Sequence, residues 1–211
     1  EKFVGANSDL TTSMKSVGEA MSIGRSFSES IQKGFNSLEY GLSGFDKPKL
    51  KLNDKNTIIN ELKIQSSQRL LVVGEALRIG LTIEEINKIT KYDKWFLYQI
   101  QNIINFEGII KEKRLNKNII LHAKKIGFSD YKISSILNLE EKDIREFRNK
   151  NNINPLFRLV DTCAGEFNSK TPYLYSTYDW DFKNIKFCEA NPTSKDKVII
   201  LGGGPNRIGQ G

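Results

Sequence analysis

At 211 residues, with 38% hydrophobic and 27% charged side chains, the chain is long enough for one globular domain plus pieces of neighbouring ones. No apolar run approaches the roughly 18–20 residues that span a bilayer, and the stretch before Ser30 is too polar for a signal peptide. Cys163 and Cys188 are too few for a disulfide framework, so a cytoplasmic protein is expected; the net charge of +7 raises nucleic-acid binding, but the lysines are scattered rather than gathered on one stripe.

No internal repeat is visible. The chain opens at Glu1 without an initiator methionine and stops at Gly211 inside a glycine-rich stretch, so both ends read as cuts in a longer chain. In residues 1–45, Val17 to Ile23 is expected as a short strand. Ser26-Phe27-Ser28-Glu29 fits a capping box, and Phe27, Ile31, Phe35 and Leu38 follow at helical spacing, with Gly41 as the stop.

Residues 46 to about 152 read as nearly all helical, with Pro48 as the lone proline. Ser66 or Ser67 is the expected cap of a helix through Leu70, Leu71, Gly74 and Leu77, ending at Gly80. Thr82-Ile83-Glu84-Glu85 is a second capping box, with Ile86 and Ile89 behind it. Asp93 caps a longer helix through Phe96, Ile100, Ile103 and Ile104. Ile119 to Ile126 is a helix closed by Gly127, Ser129 starts one with Ile133, Ile136 and Leu137, and a last one holds Ile144 and Phe147. Residues 46–68 support only a general expectation of helical packing. Short helices joined by short polar turns describe a compact bundle.

From residue 153 the texture changes. Leu156 to Val160 and Tyr173 to Tyr178 read as extended segments, and Asp179 to Asp196 as a loop or linker. Lys197-Val198-Ile199-Ile200-Leu201 is a short apolar strand of the buried parallel type, running into the glycine loop Gly202-Gly203-Gly204-Pro205-Asn206-Arg207-Ile208-Gly209-Gln210-Gly211. The expected fold is therefore mainly α: a helical bundle at residues 46–190, flanked by short α/β pieces at 1–45 and 191–211.

The glycine loop admits a phosphate-binding reading, because glycines after a strand let backbone amides approach an anion, and a reading as a tight structural turn. Gln210 stands where a P-loop has lysine, and Arg207 where a dinucleotide fingerprint has its third glycine. His122 is the sole histidine and, with the two cysteines, makes no metal constellation. Cys163 lacks a neighbouring base. Glu84-Glu85 and Glu140-Glu141 lie in first helical turns, where acids favour the helix dipole. Ser129 to Lys150 resembles a helix-turn-helix, but its second helix would present Glu140, Glu141 and Asp143 to phosphates. Trp95, Phe96 and Tyr98 read as core or subunit-interface aromatics.

Whole phrases carry a family resemblance. Glu1-Lys2-Phe3, Leu10-Thr11-Thr12-Ser13-Met14-Lys15-Ser16-Val17-Gly18-Glu19, Ile23-Gly24-Arg25 and Glu29-Ser30-Ile31-Gln32-Lys33 resemble the end of the first ATP-grasp domain of the carbamoyl phosphate synthetase large-subunit family. Asp93-x-Trp95-Phe96-Leu97, Lys124-x-x-Gly127-Phe128-Ser129-Asp130 and Val160-Asp161-Thr162-Cys163-Ala164-x-Glu166-Phe167 look like its helical oligomerisation domain, and Thr171-Pro172-Tyr173-x-Tyr175-Ser176-Thr177-Tyr178 continues the match. The stretch from Gly202 to Gly211 is similar to the opening of the second synthetase half.

The resemblance implies an ATP-dependent ligase making carbamoyl phosphate from bicarbonate, glutamine-derived ammonia and two ATP, for arginine and pyrimidine biosynthesis. It implies ATP with Mg or Mn in the two halves, a glutaminase subunit or domain, homo-oligomers, and neither nucleic acid nor membrane as partner. This segment would connect the halves, hold no catalytic or metal-ligating residue, bind no cofactor alone and be inactive by itself. Gly202, Gly203, Gly204, Asn206, Arg207 and Gly209 match the glycine loop of the second nucleotide half. Glu19 and Gly211 match residues of the carbamate tunnel; for Glu19 a buried, ion-paired structural carboxylate is the competing reading. A helical nucleic-acid-binding module is the alternative function, and a free-standing nucleotide binder a third.

Overall fold

A computed structural model describes residues 5, 9–13, 15–16, 18–52, 54–178, 188–202, 204 and 206–207. Among them are eight helices and four short strands. The first strand, β1 (Gly18–Glu19), leads into α1 (Phe27–Ser37). The hydroxyl of Ser26 caps α1 by accepting from the amide of Glu29 at 3.2 Å. The reciprocal half of the expected box is replaced: the Glu29 carboxylate reaches one residue further back and accepts from the amide of Arg25 at 2.7 Å. The helix also stops before Gly41. Glu39 takes the left-handed conformation at φ 57°, because the apolar stripe ends at Leu38.

The helical body follows as α2 (Lys55–Lys63), α3 (Arg69–Arg78), α4 (Ile83–Thr90), α5 (Lys94–Lys113), α6 (Lys117–Lys125), α7 (Asp130–Leu137) and α8 (Glu141–Lys150). Asp54 caps α2 and Thr82 caps α4, the latter with Glu85 returning to the Thr82 amide at 2.7 Å. Asp93, Asn116 and Ser129 cap α5, α6 and α7. Neither Ser66 nor Ser67 caps α3 with its side chain. The Ser66 carbonyl accepts from the Arg69 amide instead, and the Arg69 guanidinium donates to the Leu62 carbonyl, so the α2–α3 turn is closed by backbone acceptors.

The twenty-residue α5 is the central element, packed against α1, α3, α4, α6 and α7. Its Leu97, Ile100, Ile103 and Ile110 are all but sealed from solvent and meet Phe45, Leu62, Val72, Val73, Ile86, Ile120, Ile133 and Ile144 in one core. Each such side chain stabilises the fold by about 1.5–3 kcal/mol relative to exposure. Phe35 of α1 stacks edge-on with Phe45 at 4.9 Å, so α1 shares that core.

After α8, β2 (Leu156–Leu159) pairs antiparallel with β3 (Leu174–Thr177), burying Leu156 and Thr177. β4 (Asn206–Arg207) returns to pair antiparallel with β1, Glu19 opposite Asn206 and Gly18 opposite Arg207. Two strand expectations are corrected. Of Val17–Ile23 only Gly18–Glu19 is strand and Val17 lies outside the described residues; the Ser22 hydroxyl and the Ile23 carbonyl bond to α1 rather than to a sheet. Lys197–Leu201 forms no ladder, and Val198 to Leu201 are 84–91% exposed. A buried parallel strand needs neighbours for its N–H and C=O groups, and no described strand lies beside this one. No described helix is long and apolar enough to cross a membrane.

Candidate functional site at the joint between flanking segments and helical body

Three elements meet around Glu29: the segment leaving β1, helix α1, and strand β3. Glu29 is 1% exposed. Its Oε2 accepts from the Arg25 amide at 2.7 Å and from the Thr177 hydroxyl at 3.1 Å, and its Oε1 lies 2.7 Å from Lys33 Nζ. Lys33 in turn donates to the carbonyls of Ile23, at 3.0 Å, and Ser176, at 2.5 Å. One helical turn thus bonds to the chain on both sides. Backbones approach closely here. A Cβ on Gly24 would fall 2.9 Å from the Ser30 amide nitrogen, and one on Gly127 2.9 Å from Glu29 Cα. Gly127 also holds φ +96°, a conformation that favours glycine. The amide of Gln32 completes the joint by donating to the Ile126 carbonyl at 2.7 Å.

Beside it opens a cleft of about 260 Å³ between α1, the α6–α7 turn, α8 and β3. Its floor is a charged cluster. Asp130 accepts from Lys124 at 2.8 Å and from both arms of the Arg148 guanidinium at 2.6–3.0 Å. The Tyr178 ring lies 5.1 Å from Lys124 Nζ and 5.6 Å from the Arg148 guanidinium carbon. Burial pushes the Asp130 carboxyl upward, but Arg148 and Lys124 outweigh it and hold it below the usual carboxylate range. Burial pushes Lys124 down, against the opposing charge of Asp130. A second network joins Arg78, Glu107, Lys132 and Asp46, with Arg78 reaching Glu107 at 2.8 Å and Lys132 reaching Asp46 at 2.8 Å. Periodicity does not single out any of these charges; the only sequence sign is an ionisable side chain on an otherwise apolar helical face.

Of the residues nominated from sequence, the fold brings Glu19 and the Asn206–Arg207 pair of the glycine loop together as β1 and β4. Glu19 is exposed on this chain. Gly202 is exposed, and Gly204, at φ +80°, backs onto the Glu39 carboxylate in an open cleft of about 390 Å³ lined also by Ala20, Met21 and Asn36. Gly203, Gly209 and Gly211 lie outside the described residues.

In the described part of the loop, the Glu39 carboxylate lies where a Cβ on Gly204 would fall. Among the described residues no group of three or more His, Cys, Asp or Glu is placed to hold a metal ion. His122 stacks on Phe106 at 4.8 Å, and burial, helped by the Lys125 charge, keeps its pKa below the ordinary value. Cys163 sits in the β2–β3 loop, where its amide donates to Asp161. On α8, Arg148 turns inward to Asp130 and Arg145 pairs with Glu141, so the acids at its start are not offset by a basic reading face. Trp95, Phe96 and Tyr98 are 46–53% exposed on α5; Phe27 covers the inner edges of the first two.

The sequence profile of the family described as "Carbamoyl-phosphate synthetase large chain, oligomerisation domain" matches residues 19–152. Proteins named "Carbamoyl phosphate synthase large chain" are similar over this whole chain: 46% identical in Vibrio cholerae serotype O1, 45% in Pseudomonas aeruginosa and 45% in Neisseria meningitidis serogroup A. The chain spans about a fifth of those relatives, 19–20% of their length. The match begins at Glu19 and takes in α1 and every helix of the body, so the chain belongs to the carbamoyl phosphate synthetase large-chain family, in the region of its oligomerisation domain.

Proposed function

We propose that this chain is the connecting and oligomerising segment of an ATP-dependent ligase that makes carbamoyl phosphate from bicarbonate, glutamine-derived ammonia and two ATP. In this reading residues 1–45 end the first synthetase half, 46–190 form the helical connector, and 191–211 open the second half. ATP and Mg or Mn serve the flanking halves, a glutaminase subunit or domain supplies ammonia, and the assembly works in the cytoplasm. The segment itself binds no nucleotide.

One observation supports this most strongly: β1 and β4, from opposite ends of the chain, pair with each other, while α1 is bonded to the helical body and the β2–β3 hairpin to α1. A connector must bring its two ends together and hold them on something stiff. Glu19 then lies beside the glycine loop that runs on to Gly211, as expected if both border a passage for carbamate between the halves. A glycine there keeps such a passage open, because any side chain adds volume to a tightly filled interior.

The test is Gly211→Leu in the full-length protein. Bicarbonate-dependent ATP hydrolysis should persist while carbamoyl phosphate output falls at least about tenfold, the loss expected when a path is blocked rather than a reacting group removed. Unchanged output would remove the passage assignment, and a full-length protein that makes no carbamoyl phosphate would remove the reading altogether.

A further inference from the structure

Glu29 is fully buried and used by no reaction step above, and with Lys33 it touches the β1 side, the α1 turn and the hairpin at once. We propose that Glu29 is a positioning residue for transfer between the two halves: its carboxylate holds the strand carrying Glu19 in fixed register on α1 and β3. This inference rests on the function proposed above.

The geometry is that of a clamp. The chain between Glu19 and α1 is fastened to α1 by three bonds. The Ser22 hydroxyl donates to the Ser30 carbonyl at 2.8 Å, Lys33 donates to the Ile23 carbonyl, and the Arg25 amide donates to Glu29. On the opposite side, the Thr177 hydroxyl and the Ser176 carbonyl bring β3 to the same Glu29–Lys33 pair. Gly24, Gly34 and Gly127 leave room for this approach, since a Cβ on each would fall 2.9–3.1 Å from Ser30, Ser22 or Glu29. The α6–α7 turn therefore backs the pair against the helical body. A displacement of β3 or of that turn cannot leave Arg25, and through it the Glu19 strand, where they were.

The carboxylate is specifically required. The neighbours of Glu29 named here are an amide and a hydroxyl that donate to Oε2 and an ammonium ion-paired with Oε1. Glutamine in its place would turn an NH2 donor onto one of them, leaving two donors facing in a buried place. The amide would still fill the volume and its oxygen would still accept from Arg25 and Thr177, so shape is retained while the ion pair with Lys33, the side chain that also ties down the Ile23 and Ser176 carbonyls, is lost.

The experiment uses the full-length protein and reads ATP hydrolysed per carbamoyl phosphate formed. Glu29→Gln should raise that ratio at least about threefold, with bicarbonate-dependent ATP hydrolysis within about twofold of the unaltered protein, as for a coupling residue remote from the reacting atoms. Thr177→Val, which breaks the hairpin side alone, should raise it in the same direction, and Thr177→Ser should restore it. Ile86→Ala, a core truncation in α4 away from the joint, serves as the stability control and should leave the ratio unchanged. A normal ratio in Glu29→Gln, or an equal rise in Ile86→Ala, would overturn the proposal. A protein that forms no carbamoyl phosphate before any substitution would instead overturn the function on which it rests.

Discussion

Asp130 receives bonds from two cations with only 9% of its side chain exposed. Removing the anion leaves Lys124 and Arg148 facing each other without compensation, so Asp130→Asn should cost about 3–5 kcal/mol in denaturant unfolding. The pH dependence has a definite sign. The folded carboxyl lies below the unfolded value near 3.9, so its contribution is fully present above about pH 4 and is lost as pH falls through the depressed folded value. The gap between protein and variant should therefore close only in that acid range. Gly127 and Gly80 allow a paired comparison. Both have positive φ, but a Cβ on Gly80 meets nothing within 4 Å, whereas one on Gly127 meets the Glu29 backbone at 2.9 Å. Gly80→Ala should cost about 1 kcal/mol of conformational strain, and Gly127→Ala clearly more than about 2 kcal/mol, read by thermal or denaturant unfolding.

The helices were legible because their signals are local. Thr82, Asp93 and Ser129 cap where their spacing says they should, and the Ile86, Ile100 and Ile133 faces turn inward. Thr82→Ala should accordingly lose about 0.5–2 kcal/mol, with the Glu85 carboxylate left bonded to one amide instead of closing the box. Where partners come from elsewhere in the chain, sequence pattern falls short. Glu29 carries the right spacing for a capping box, yet its carboxylate bonds Arg25 and Thr177, the latter 148 positions away. Ser66 and Ser67 offer side-chain caps, but it is the Ser66 backbone carbonyl that accepts from the Arg69 amide. Lys197–Leu201 has strand composition without a neighbouring strand among the described residues, and composition alone cannot form a ladder.

At the scale of the molecule, the family and the helical body could be read from the sequence, because phrases such as Val160-Asp161-Thr162-Cys163-Ala164 and the apolar periodicity both survive without coordinates. The return of β4 to β1 could not, since nothing near Glu19 records that Asn206 lies opposite. Trp95 and Tyr98 lie three positions apart on one helical face, 53% and 47% exposed, and under the proposed function this face would meet a second copy. The most direct test of a connector that also assembles copies is the mass of the full-length protein by sedimentation equilibrium. The Trp95→Ser, Tyr98→Ser double variant should sediment as a smaller assembly with unchanged far-ultraviolet circular dichroism. An unaltered mass over the whole concentration range would contradict it.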